Sequence, residues 1–123
     1  MIVADTDVLI DYLHGKGEAD AVEDLMLRGL LRTTVITRFE LLAGARTPKQ
    51  IARIQQLLEA IPCLGLDERA ADAASQLRRS LSRTGDDIGM ADSLIAGIVL
   101  SAGSALLTRN RRHFDRVPGL VLA

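Results

Sequence analysis

An α/β sandwich around a mostly parallel sheet is the fold class this sequence predicts, and three observations predict it. Short apolar or β-branched runs alternate with helix-length segments from one end to the other. The 123 residues suffice for one domain with a hydrophobic core of its own. That core must be aliphatic, because Tyr12, Phe39 and Phe114 are the only aromatic side chains.

The elements follow in order. Ile2-Val3-Ala4 is a short apolar run ending at Asp5 and reads as a buried strand. Asp7 is placed to cap a helix through about Gly15, where Gly15-Lys16-Gly17 breaks it. A second helix spans Glu18 to Arg28, with acids in its first turn and Gly29 at its end. Leu31 to Ile36 contains Thr33-Thr34-Val35-Ile36 and reads as a strand. Thr37 opens a helix to about Arg46, and Pro48 starts another that carries Ile51, Ile54, Leu57 and Leu58 at helical spacing. Pro62 to Leu66 is a short strand, and Asp67 caps a long amphipathic helix ending near Gly85. Gly89 to Ala102 is apolar almost all round, so that helix belongs in the interior. Ser104 to Leu107 is a strand, Asn110 to Asp115 a short helical turn, and Leu120 to Leu122 a final strand.

Composition excludes several functional classes. With three aromatics, the chain has no base-stacking platform of the RNA-recognition-motif or OB type. Cys63 is the only cysteine, which rules out an internal disulfide and a cysteine zinc cluster and fits a reducing cytoplasm. A charge arrives as early as Asp5, and the longest apolar run is Leu94 to Leu100, so neither a signal peptide nor a membrane span is expected. The net charge of −1 is uninformative, but thirteen arginines stand against two lysines, Lys16 and Lys49. Arginine suits bidentate phosphate contacts; high genomic GC content produces the same bias.

Three acids are candidates for function, and two of them, Asp5 and Asp92, sit where structure alone gives little reason for them. Asp5 follows three apolar residues and precedes Val8-Leu9-Ile10, so its carboxylate faces a desolvated setting. Asp7 is the better cap, which leaves Asp5 for function. Glu40 closes a formal capping box, Thr37-Arg38-Phe39-Glu40, and local sequence alone favours that role. Asp92 lies in the first turn of a helix with no other charge, while Asp86 and Asp87 could complement the helix dipole from solvent. Carboxylates on separate elements, at a strand end and at buried helix starts, suit a hard divalent cation with oxygen ligands: magnesium, or manganese as the alternative. In a parallel sheet such residues gather at the carboxyl ends of the strands, where Asp5 and Thr108-Arg109-Asn110 both fall. Asp7 and Asp11, at i and i+4, form a repulsive pair of which at least one should be solvated. His14 and His113 have no ligand spacing and read as surface residues.

The motif order resembles that of PIN-domain nucleases. Asp5-Thr6-Asp7-Val8-Leu9-Ile10-Asp11 is similar to their opening motif, and Thr37 to Gly44 to their second. Gly85 to Ala96 is similar to their third, and Leu107 to Leu120 to their C-terminal segment. The resemblance spans the chain, is nearest to the VapC toxins of bacterial toxin–antitoxin pairs, and implies one PIN domain over residues 1–123, a three-layer α/β/α sandwich. It implies that Asp5 and Asp92 bind magnesium, that Glu40 holds a water or a second ion, and that Thr6 and Thr108 orient the carboxylates. Asn110 is a departure, because many PIN domains carry a fourth acid there. The amide keeps an oxygen but adds no charge, which favours a single ion at rest and leaves Asp7 or Asp115 to compensate. The implied reaction is hydrolysis of RNA by in-line attack of an activated water, leaving 5′-phosphates. Arg38, Arg46, Arg109, Arg111, Arg112 and Arg116 would form a basic rim for the RNA backbone. The resemblance also implies a cognate VapB-type antitoxin and a homodimer, for which Leu25, Leu57, Leu58 and Ile61 offer either a dimer face or a monomer core.

Two other readings compete. Asp5-Thr6-Asp7-Val8-Leu9 matches the Asp-x-Asp opening of a phosphatase, but Lys16 and Lys49 are badly placed to balance a phosphate. A PIN-like binding protein without turnover is the other, and Asn110 is the feature that favours it.

Overall fold

A computed structural model describes residues 1–123. The elements are β1 (Ile2–Ala4), α1 (Thr6–His14), α2 (Ala19–Leu27), β2 (Leu31–Thr34), α3 (Val35–Gly44), α4 (Pro48–Glu59), β3 (Cys63–Leu64), α5 (Glu68–Arg83), α6 (Met90–Ala102), β4 (Ala105–Leu107), α7 (Arg111–Phe114) and β5 (Val121–Leu122). The five strands form one sheet in the order β3-β2-β1-β4-β5, and every pairing is parallel. The strand order reverses between β1 and β4, so a crevice opens at the carboxyl ends of these two central strands.

Alternation along β1 separates two apolar cores. Val3 packs with Leu77, Leu81, Ile95, Val99, Leu106 and Phe114, the side covered by α5 and α6. Its neighbour Ala4 faces Val8, Leu9, Val22, Leu41, Ile54 and Leu58, the side covered by α1 to α4. The result is the three-layer α/β/α sandwich. Leu57, Leu58 and Ile61 are buried in this second core and Leu25 packs against it, so the monomer core, not a dimer face, uses them. As expected from its all-round apolar sequence, α6 is interior, with Ile95, Ala96, Gly97, Ile98 and Val99 buried. Gly97 lets α6 approach α5 closely: a Cβ there would lie 2.6 Å from the Ala70 carbonyl oxygen and from Ala74 Cβ.

Two expected helix starts are corrected. Asp5, not Asp7, is the N-cap of α1, its side chain accepting from the Thr6 N–H. Asp5 is still extended (φ −72°, ψ 163°), which is the backbone state a cap requires. Likewise the strand ends at Thr34, within the β-branched run, and the Thr34 hydroxyl accepts from the Thr37 N–H and caps α3 two residues before Ile36. Thr37 is therefore inside the helix, and no capping box with Glu40 exists. No helix is long and apolar enough to cross a membrane.

Candidate active site

The crevice at the switch point is built around Asp5. Its position immediately after β1 is held by its N–H, which donates to the Leu107 carbonyl at 2.9 Å and carries the β1–β4 pairing one residue further. Its Oδ1 accepts from the Thr6 N–H at 2.8 Å, and its Oδ2 accepts from the Thr108 hydroxyl at 2.7 Å. Thr108 follows β4 and accepts in turn from the Asn110 N–H at 3.0 Å. Only 5% of Asp5 is exposed. Burial pushes its carboxyl up to about 7; the Thr108 hydroxyl opposes the rise, Asp7 adds to it, and Asp92 adds a smaller part.

Glu40 reaches the same crevice from α3. Its Oε1 accepts from the Thr6 hydroxyl at 2.6 Å, and Thr6 Oγ1 lies 3.1 Å from Thr37 Oγ1, which lies 3.4 Å from Thr34 Oγ1. Each hydroxyl has one proton, so with Glu40 ionised this chain runs in one direction, from Thr34 through Thr37 and Thr6 to the carboxylate. Thr6 thus serves both acids, giving its backbone N–H to Asp5 and its hydroxyl to Glu40. Glu40 also borders an open cleft of about 270 Å³ whose apolar lining includes Ile10, Leu13, Leu41 and Ile54.

Asp92 enters from the first turn of α6. Its Oδ2 lies 3.1 Å from His113 Nδ1 on α7, so His113 is part of the site's surroundings and not the free surface residue expected. Nothing in local sequence marks this pair; it exists because α7 packs Phe114 into the core and turns the preceding residue toward α6. Asp7 accepts from the Arg109 N–H at 3.2 Å. Asn110 stands at the N-cap of α7 but its side chain makes no capping bond, and Asp115 is exposed at the other end of that helix. Of the repulsive Asp7–Asp11 pair, Asp7 is the member that stays partly exposed, as expected of at least one, while Asp11 is buried and paired with Arg109.

Contacts place three of the arginines expected to form a basic rim. Arg109 lies beside the acids, whereas Arg111 donates to the Ala123 carbonyl and Arg38 lies near Cys63 at the far edge of the sheet.

This donor set fits a hard divalent cation. The carboxyl of Asp5 is raised first by its burial and further by the charges of Asp7 and Asp92, the setting in which a bound cation would favour the ionised form. Asp5 and Asp92 present oxygen only, and no three His, Cys, Asp or Glu side chains close into a ready-made cage.

Comparison with known proteins agrees with the geometry. A family model described as PIN domain matches residues 2–120. A tRNA(fMet)-specific endonuclease VapC of Shigella flexneri is 31% identical, covering 94% of this chain and 91% of the relative. Ribonuclease VapC1 of Methanocaldococcus jannaschii is 30% identical over 94% of this chain and 80% of its own. Among solved structures, DNA-bound VapBC from Salmonella typhimurium superposes with a TM-score of 0.88 at 26% identity, covering 99% of this chain and 96% of that one.

Proposed function

The chain belongs to the PIN-domain family, among its VapC proteins, and from that premise we propose that it is a magnesium-dependent endoribonuclease, the toxin of a type II toxin–antitoxin pair. The observation that carries this reading is the buried Asp5 carboxylate at the β1–β4 crevice, with Asp7 and Asp92 acting on it. Such an arrangement stabilises a bound dication more than it stabilises the fold.

In this reading Asp5 and Asp92 hold the magnesium ion, with manganese as the alternative. When bound, the ion supplies Lewis-acid polarisation of a phosphoryl oxygen and a water of lowered pKa. The chain's own residues do the rest. Thr108 fixes Asp5 Oδ2 by its hydroxyl, and the Thr6 N–H fixes Oδ1, so the carboxylate cannot rotate away. His113 restrains Asp92 from the side. Glu40, with Oε1 committed to Thr6, keeps Oε2 to take a proton from the attacking water. Asn110 contributes an amide in place of a fourth acid, so the site holds one ion at rest. The 2′-hydroxyl of the ribose has no role, and the products carry 5′-phosphate and 3′-hydroxyl ends.

The same reading gives the chain a VapB-type antitoxin as partner, in keeping with the VapBC complexes among similar structures. It also makes the chain a homodimer, which light scattering on a sizing column tests directly. The deciding experiment is cleavage of total cellular RNA by the purified chain with magnesium, with chelator, and with Asp92→Asn. Magnesium-dependent cutting that leaves 5′-phosphates and disappears in the variant is the expected result. A folded, magnesium-supplied chain that cuts nothing overturns the enzyme reading in favour of a binding protein.

A further inference from the structure

Asp11 is the other buried carboxylate of α1, and the metal site makes no use of it. Only 1% of it is exposed, yet it is not sealed in apolar surroundings. Its Oδ2 accepts from the Glu18 N–H at 3.0 Å and forms an ion pair with Arg109 Nε at 3.2 Å. Gly17, at φ 55°, passes so close that any Cβ would strike the carboxylate. Asp11 therefore joins three segments: α1, the turn before α2, and the loop after β4.

Arg109 is held twice. Its backbone N–H donates to Asp7, and its Nε faces Asp11, one helical turn further along the same face of α1. Its side chain nonetheless remains 54% exposed, and its two Nη nitrogens make no hydrogen bond within the chain. A guanidinium present only to neutralise a buried acid would gain by committing those donors too. Here they are left facing solvent, on the residue between Thr108 and Asn110. Arg53 is committed to the Leu13 carbonyl, Arg111 to that of Ala123, and Arg28 and Arg78 to surface acids; Arg38, Arg46, Arg112 and Arg116 have free side chains but no buried acid to fix them.

We propose that the Asp11–Arg109 ion pair is a substrate clamp, in which buried Asp11 fixes Arg109 so that its free Nη edge binds a backbone phosphate of the RNA beside the scissile bond. The inference rests on the ribonuclease reading and adds a residue pair to it. Arg109 is the group that touches substrate; Asp11 is a positioning residue acting through it. The fork matches two phosphate oxygens, and its orientation is set before binding, so little side-chain freedom is lost on association. Around a site of negative charge, one pre-aimed cation also offsets repulsion of the polyanion.

The test uses a short, mixed-sequence single-stranded RNA, labelled at one end, with the full chain. Binding is followed by anisotropy across a salt series in the Asp92→Asn background, and cleavage kinetics in the otherwise unaltered chain. Arg109→Ala is expected to raise KM about tenfold with a smaller change in kcat. It should also lower the slope of log affinity against log salt by about 0.7, the loss of one phosphate contact on a single strand. Asp11→Asn should reproduce part of the KM effect, and Arg109→Lys should not rescue it, because an ammonium cannot face Asp11 and present a fork at once. A melting curve on each variant separates folding from binding. If the unaltered chain cuts RNA and Arg109→Ala shifts its melting temperature but leaves KM and the salt slope unchanged, the pair is structural and the clamp is refuted. If the unaltered chain neither cuts nor binds RNA, the ribonuclease reading fails, and the clamp fails with it.

Discussion

Asp5 and Thr108 are 103 positions apart in the chain and meet at 2.7 Å, hydroxyl to carboxylate, across the two central strands of the sheet. In the proposed site this bond would hold a metal-binding carboxylate from behind, and its removal has a defined effect. Thr108→Val keeps the shape and deletes the donor. Magnesium affinity, read by calorimetry, is expected to fall by roughly 10- to 100-fold while the circular dichroism spectrum stays unchanged.

Asp5 also makes the stability of the metal-free chain depend on pH. Its carboxyl moves from an ordinary 3.8 to about 7 on folding. Between those values the folded chain holds a proton that the unfolded chain has released. The Asp5 contribution to stability therefore falls as pH rises through this window, by at most about 4 kcal/mol, and is level above it. In chelator, Asp5→Asn should melt higher than the unaltered chain at pH 7.5, and the gap should close near pH 4. Added magnesium reverses the order at pH 7.5, because it binds the ionised carboxylate and the amide far less well. Equal melting temperatures at both pH values in chelator would show that Asp5 is not desolvated.

His113 is predicted to matter for turnover and little for folding. It is partly exposed and its ring contacts one oxygen of Asp92. His113→Ala should lower kcat about tenfold with a melting temperature close to that of the unaltered chain. His113→Asn, whose amide can occupy the place of Nδ1, should recover most of the loss.

Gly97→Ala probes the packing behind the site. The added methyl would lie 2.6 to 2.7 Å from Ala70 and Ala74, including two backbone atoms of α5, so the helices must part. A loss of about 1–3 kcal/mol is expected, measured as a lowered denaturant midpoint. Since Asp92 is in the first turn of the same helix, activity should fall together with stability.

Much of this architecture is legible in the sequence, and the parts that are not share a cause. Alternating apolar strands and amphipathic helices define the sandwich, and the carboxyl-end rule places Asp5 beside Thr108 before any coordinates exist. Thr34 and Thr37 are equally good caps by type, so local sequence cannot choose between them. The choice is made by Thr6, which takes the Thr37 side chain into the hydroxyl chain to Glu40. The Asp92–His113 and Asp11–Arg109 pairs are likewise invisible in one dimension. Each joins a helix to the segment after β4 and depends on how α6, α7 and α1 are set against the sheet.

The strand order has a consequence for synthesis. β1 is made first but lies at the centre of the sheet, and its β4 neighbour and the Thr108 donor arrive 103 residues later. At ordinary elongation rates that interval is about 5–20 s. Throughout it, Asp5 lacks the hydroxyl that holds it and Asp11 lacks Arg109, while Asp92, once made, waits a further 21 residues for His113. On the ribonuclease reading, the site of the nascent chain is completed only when the segment after β4 folds back onto β1 and α1.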